Sequence, residues 1–167
     1  VEWNPLHLEA LLGTGKKIAI DANTSLRPQD CEELESISNS DKLVYVEQPL
    51  KVGKYKTLLR SSRVNWMGDE DFQNVDQLME LQPHYSSLNL KLMKCGGLTP
   101  ALEVIKKARD YGFKVMIGCM TESSVGISAG IALAPLCDYA DLDGAELIRN
   151  DDAIGSKVRC GELHLEK

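Results

Sequence analysis

The sequence predicts an α/β protein, an incomplete (β/α)8 TIM barrel of about six strand–helix units, and three observations predict it. Short runs of β-branched and apolar residues alternate strictly with amphipathic segments. Four charged residues stand at the C-terminal ends of successive runs: Asp21 in KIAIDAN, Glu47 in LVYVEQP, Asp69 in NWMGDE and Lys91 in LNLKLMK, with gaps of 26, 22 and 22 residues. Each gap is one strand, one helix and two short loops, and a parallel barrel opens all such ends onto one face. No GxGxxG or GxxxxGK[ST] loop follows an early strand, as a doubly wound nucleotide fold would require.

Taken in order, Leu6 to Leu12 ends at Gly13 and reads as the tail of a helix. Strands are expected near 17–22, 43–47, 64–68, 88–92, 114–118 and 138–142. Each is a nearly continuous apolar run, the signature of a parallel strand covered on both faces. Helices are expected over 28–38, 51–61, 73–81, 100–111 and 123–134. Thr99-Pro100 reads as an N-cap with proline at the first helical position, and Gly112 as a C-terminal stop. A helix precedes the first strand, so the start of a barrel is expected to lie outside this sequence. Beyond 145 the alternation stops, and GSKVRCGELHLEK reads as a hairpin or cap segment. The expected organisation is therefore a partial barrel over 1–145 and an extension over 146–167.

The 167 residues are 43% hydrophobic and 26% charged, which suits one soluble globular domain. A net charge of −6 and a pI near 5.1 argue against nucleic acid or an anionic membrane as partner, since both need a basic face. The five cysteines (Cys31, Cys95, Cys119, Cys137, Cys160) are odd in number and form no CxxC, so they read as reduced, mostly buried thiols of a cytoplasmic protein. His7, His84 and His164 lie far apart without ligand spacing. No signal peptide is visible. The longest apolar stretch, Val125 to Cys137, has 13 residues and is interrupted by Ser128 and Pro135, whereas a membrane span needs about 20.

Carboxylates crowded together repel, and a hard cation is the usual resolution. Asp21, Glu47 and Asp69, one per strand end, suit a magnesium ion, which takes about six oxygen ligands and leaves half its shell for substrate. A lysine in a barrel interior beside a dication loses basicity and suits a general base, the part read for Lys91. Lys94, three residues on, would point to the opposite face if the strand continued. Glu122 follows the next strand in MIGCMTESSVG. Asp141 and Asp143 in YADLDGAEL, two apart and on one strand face, invite an ammonium group. The serines of GCMTESSVG form no GxSxG elbow, which sets a serine hydrolase aside.

In order, DAN, VEQP, GDE, NLKLMKCGG, MIGCMTESSVG and ADLDG resemble the strand-end motifs of the enolase superfamily, muconate-lactonizing-enzyme subgroup. The match runs from about residue 16 to 147. The resemblance implies barrel strands 3–8, with Asp21, Glu47 and Asp69 as Mg2+ ligands and Lys91 as the base on the sixth strand. The superfamily's known chemistry is proton abstraction α to a carboxylate through a metal-stabilised enediolate. The DxD at Asp141 and Asp143 resembles the dipeptide-epimerase pattern, in which the pair holds the free ammonium of a dipeptide of the L-Ala-D/L-Glu type. Glu122 and Asn23, in MIGCMTESSVG and DAN, are also expected at the substrate. A cycloisomerase or o-succinylbenzoate synthase of the subgroup would use the same metal site, but its substrates carry no ammonium.

The family's second lysine, in a KxK motif on the second barrel strand, has no counterpart here, because Lys16-Lys17 precedes the third. The N-terminal capping domain has none either. The chain is therefore expected to be the C-terminal part of such an enzyme. Its expected partners are a small carboxylate substrate and the missing N-terminal segment or a companion chain, in a homo-oligomer. Alone it is expected to be inactive.

Overall fold

The computed structural model of the chain describes residues 3–37, 41–60, 63–151, 153, 155–159 and 161–164. Helix α1 (Pro5–Gly13) starts at Asn4, whose side chain accepts from the Leu6 N–H at 3.0 Å. Six strands follow: β1 (Ile18–Asp21), β2 (Leu43–Glu47), β3 (Trp66–Gly68), β4 (Ser87–Lys91), β5 (Lys114–Gly118) and β6 (Tyr139–Ala140). They are hydrogen-bonded in chain order, β1 to β6. The β1–β2, β2–β3, β3–β4 and β5–β6 pairings are parallel. Sequential parallel strands with helical connections are the construction of the (β/α)8 barrel, present here as an incomplete set. The main connecting helices are α2 (Pro28–Ile37), α3 (Leu78–Leu81), α4 (Leu92–Cys95), α5 (Leu98–Asp110) and α6 (Ser124–Leu133).

The residues group into two compact units, Val1–Phe72 with Met79–Leu88, and Gln73–Leu78 with Asn89–Lys167; the boundary falls within β4. In the first unit Leu34, Val46, Trp66, Met67, Tyr85 and Leu88 are fully withdrawn from water. Every residue of β3 is buried, as its unbroken apolar run requires. Arg27 grips Asp30 in the first turn of α2 with its Nε at 3.0 Å and Nη2 at 2.8 Å, which holds the Asp30 carboxyl below its ordinary range. In the second unit α5 buries Ala101, Val104, Ile105 and Ala108, the i, i+3, i+4, i+7 stripe, while Val115, Met116 and Ile117 of β5 are buried beside it.

Four sequence expectations need correction. The helix expected over 51–61 is a single 3-10 turn at Tyr55–Thr57, with residue 61 outside the described residues. Gly53, at φ +78°, interrupts the helical path, and its N–H is given to Asp71. The helix over 73–81 starts later, where Asn74 and Gln77 close a capping box, and is split into a 3-10 turn, Val75–Gln77, and α3. Gly97, not Thr99, is the N-cap of α5, which begins one residue earlier than Thr99. Of the described cysteines, only Cys31 is buried; Cys95, Cys119 and Cys137 are half-buried and all four are free. Cys160 lies outside the described residues.

Beyond 145, β7 (Lys157–Arg159) pairs antiparallel with β8 (Glu162–His164), the hairpin expected there. The stretch leading to it is pinned to the start of α6. The Ser124 N–H donates to Asp151 at 2.8 Å, Ser124 Oγ to the Ala153 carbonyl at 3.1 Å, and the Ser156 N–H to Ser128 Oγ at 2.9 Å.

Leu34 is 0% exposed on the inner face of α2. Leu34→Ala is expected to lower the unfolding free energy by about 2–5 kcal/mol, the usual loss from emptying a buried leucine site. Urea denaturation of the full chain measures it, and a loss below about 1 kcal/mol would mean that the site collapses or is solvated.

Candidate active site

The eight residues singled out in the sequence fall four to each unit. Asp21, Asn23, Glu47 and Asp69 belong to the first, and Lys91, Glu122, Asp141 and Asp143 to the second.

In the first unit backbone register does the gathering. Asp21 and Glu47 are direct partners across β1 and β2, so they share one face of the sheet. Glu47 in turn is the partner of Met67. Asp69 lies two residues beyond Met67, one step past the end of β3. Glu47 and Asp69 are 4% and 6% exposed, while Asp21 is exposed. Both Asp21 oxygens are engaged by Asn23: the Asn23 N–H donates to Oδ1 at 2.9 Å and Nδ2 to Oδ2 at 2.8 Å. Asn23, expected at the substrate, thus clasps Asp21, and does so from a left-handed backbone at φ +45°.

Among the described residues no group of three or more His, Cys, Asp or Glu side chains is arranged to hold a metal ion. The strand ends are brought together, then, but the three carboxylates are not drawn into one closed cluster. Their chemistry nevertheless fits a hard cation. All three offer carboxylate oxygens, the donors a hard cation takes, from neighbouring strand ends.

In the second unit Lys91 is the last residue of β4 and is half-buried. The strand stops there, so the alternation argument for Lys94 does not apply. Lys94 lies in α4, and its Nζ turns back to donate to the Asn89 carbonyl at 3.2 Å. Gly96, at φ +95°, ends α4 and turns the chain into α5. Asp141 and Asp143 lie past the end of β6 and not on it. Both acids are exposed, and Leu142 between them is buried, 3% exposed.

Gly144 holds this loop against the one after β5: a Cβ there would strike the Met120 carbonyl oxygen and come within 3.0 Å of Cys119 Sγ. Glu122 folds over its own loop, Oε1 accepting from the Met120 N–H at 3.0 Å and Oε2 lying where a Cβ on Gly126 would be. The Cys119 thiol lies beside this contact. Burial pushes its pKa up, the Gly144 N–H opposes this, and the charges of Asp141, Asp143 and Glu122 raise it further. Asp141, Asp143 and Glu122 thus stand on the two loops that meet at Gly144.

Sequence reading missed Gln48, Asp71 and Tyr85, which are buried together in the first unit beside Glu47 and Asp69. The available signals were a glutamine directly after an apolar strand and a second acid in GDED, each uninformative without the fold.

Residues 7–158 match the family described as enolase C-terminal domain-like. The chain belongs to this family. An L-Ala-D/L-amino acid epimerase of a Maribacter species is 42% identical over 151 residues, covering 86% of this chain and 43% of the relative. The L-Ala-D/L-Glu epimerase of Escherichia coli is 34% identical over 153 residues, covering 89% and 46%. The chain thus spans a little under half the length of these curated relatives.

Among solved structures, an enolase-family protein of Agrobacterium tumefaciens with homology to dipeptide epimerases, holding sodium and L-Ala-L-Glu, gives a TM-score of 0.83 at 32% identity over 90% of this chain and 47% of that one. The dipeptide epimerase of Methylococcus capsulatus, complexed with Mg, gives 0.80 at 30% identity over 90% and 47%. The superfamily read from the strand-end motifs is thereby confirmed, and the curated relatives are isomerases. No described helix is long and apolar enough to cross a membrane.

Neutralising the acids around Cys119 should ease its ionisation. The Asp141→Asn, Asp143→Asn double variant is expected to be alkylated by iodoacetamide at Cys119 faster than the parent at pH 8, measured by peptide mass spectrometry. An unchanged or slower rate would remove these carboxylates from the neighbourhood of the thiol.

Proposed function

We propose that this chain supplies the metal-holding acids and one of two bases of a dipeptide epimerase. The observation that supports it best is the ordered set Asp21, Glu47, Asp69 and Lys91 at the ends of consecutive strands, in a chain 42% identical to an L-Ala-D/L-amino acid epimerase. In this reading Asp21, Glu47 and Asp69 hold Mg2+, which when bound offsets the negative charge that develops on a substrate carboxylate as its α-proton leaves. Lys91 removes or returns that proton on one side of the α-carbon. Asp141 and Asp143, with Glu122 beside them, receive the substrate ammonium, while Asn23 keeps Asp21 oriented. A second lysine from the remainder of the protein serves the opposite side. Residues 146–167 form a segment of the capping region, and the free cysteines fit a reducing, cytoplasmic home.

Proton exchange tests the scheme. With Mg2+ and L-Ala-L-Glu in D2O, the complete protein should incorporate deuterium at the α-carbon, read by proton NMR. Because each base faces one side, Lys91→Ala should abolish exchange from one epimer far more than from the other. Asp141→Asn should raise KM by roughly 10-fold or more with a smaller change in kcat, the loss of a charge-assisted bond to the bound ammonium. Equal loss for both epimers in Lys91→Ala would count against Lys91 as a one-sided base. Turnover by residues 1–167 alone at ordinary enzymatic rates, about 1–10³ s⁻¹, would contradict the need for a second base from elsewhere.

A further inference from the structure

Gln48 follows Glu47 directly, is 0% exposed, and has a backbone φ of +31°, a conformation that costs energy for any residue but glycine. Such a residue persists only where its surroundings over-determine it. Six hydrogen bonds do so. Its side-chain amide is saturated: Nε2 donates to the Leu50 carbonyl at 2.9 Å and to Asp71 Oδ2 at 2.8 Å, and Oε1 accepts from the Asp69 N–H at 3.0 Å and the Asp71 N–H at 3.1 Å. Its backbone N–H donates to the Met67 carbonyl at 2.8 Å, and its carbonyl accepts from the Thr24 N–H at 2.8 Å.

These partners are not scattered. Thr24 belongs to the loop after β1 and directly follows Asn23, the residue that clasps Asp21. Leu50 belongs to Gln48's own loop after β2, and Asp69 and Asp71 to the turn after β3. One buried side chain and its peptide therefore bond to the loops that follow all three acid-bearing strands, and one of the bonds is to the backbone of Asp69 itself. Asp71 braces the arrangement from behind. Its Oδ1 accepts from the Gly53 N–H at 2.7 Å and its Oδ2 from Tyr85 Oη at 2.8 Å. Burial, followed by the charge of Asp71, pushes the Tyr85 hydroxyl pKa up, so it stays a donor. The Tyr85 ring packs on Gly68, the residue before Asp69, where a Cβ would come within 3.2 Å of two ring carbons.

We infer that Gln48, braced by Asp71 and Tyr85, is the positioning residue that sets where Glu47 and Asp69 stand relative to each other and to the Asp21 loop, and so tunes the affinity of this site for a divalent cation. Gln48 touches neither ion nor substrate in this account; it acts through the peptides on which the acids are mounted. The inference rests on the proposed reading of Asp21, Glu47 and Asp69 as the metal acids. What it adds is a specific expectation: the amide group, and not merely a filled cavity, is required. A glutamate at 48 has nearly the same shape and keeps acceptor oxygens, but it loses both N–H donors and puts negative charge against Asp71.

Mn2+ binding to the full chain, read by the electron paramagnetic resonance signal of free Mn2+, separates the possibilities. Gln48→Glu and Gln48→Leu are expected to weaken Mn2+ binding by about 10- to 100-fold, the usual effect of removing a partner that orients metal ligands. Tyr55→Phe, which removes the Tyr55–Glu80 bond of 2.7 Å in the same unit, should lower the urea midpoint yet leave Mn2+ affinity within about twofold. Should Gln48→Leu not fold, Gln48→Glu and Tyr85→Phe carry the same reading. Amide hydrogen exchange adds a readout that needs no metal: the Asp69 and Asp71 N–H groups should exchange faster in Gln48→Leu, which removes their shared acceptor, and unchanged in Tyr55→Phe. Mn2+ affinity within twofold of the parent in Gln48→Glu, with the parent binding normally, would overturn the positioning role while leaving the metal reading intact. A parent chain that binds no Mn2+, and is indifferent to Asp21→Asn, would overturn the metal reading and this inference with it.

Discussion

Everything proposed for the first unit depends on the parallel register of β1, β2 and β3. Parallel pairing sends every strand's C-terminal end to the same edge of the sheet, and the Asp21–Glu47 and Glu47–Met67 partnerships fix which residues arrive there together. A slip of one residue in β2 would carry Glu47 to the opposite face, because side chains alternate with a period of two. The buried apolar residues of β2 and β3 resist that slip. Val46, Trp66 and Met67 are each 0% exposed, so the hydrophobic pattern that stabilises the sheet also sets the register of the acids.

Register alone leaves the loops beyond the strands undetermined, and there side-chain hydrogen bonds take over, exposed at Asp21 and buried at Gln48 and Asp71. Asn23 on Asp21, Gln48 on Asp69 and Asp71, and Tyr85 on Asp71 each replace water with a fixed partner. The second unit uses another device, close approach at glycine. Gly118 has the Asn89 side chain where a Cβ would be, Gly130 has Leu142 within 2.8 Å of that point, and Gly144 has Met120. Small residues let the loops after β5 and β6 touch, and the carboxylates they carry then act together on Cys119.

How much of this was legible in the sequence follows from the same division. β2 and β5 were read to the residue, because a lysine opens each apolar run and a glutamate or glycine closes it. The one-per-strand spacing of Asp21, Glu47, Asp69 and Lys91 was legible because a repeating strand–helix unit turns spacing into position. The helix expected over 51–61 was not, since Gly53's left-handed conformation and its bond to Asp71 decide that segment and both depend on residues far along the chain. The shortness of β6 was hidden likewise: the strand ends at Ala140, so Asp141 and Asp143 lie in the loop beyond it with Leu142 buried between them. Gln48 was invisible because its role comes from what surrounds it. A glutamine after a strand is ordinary, whereas a fully satisfied one at φ +31° is not.

The central claim is that Asp21, Glu47 and Asp69 converge on one hard divalent cation. Anomalous diffraction from crystals of the complete protein soaked in Mn2+ tests it most directly. The account predicts a single strong peak with an oxygen of each of the three carboxylates about 2.0–2.6 Å away, the range of hard cations, and the Asp21 carboxylate shared between that ion and Asn23. A peak at other residues, or strand ends without one while Asn23 still holds both Asp21 oxygens, would contradict it.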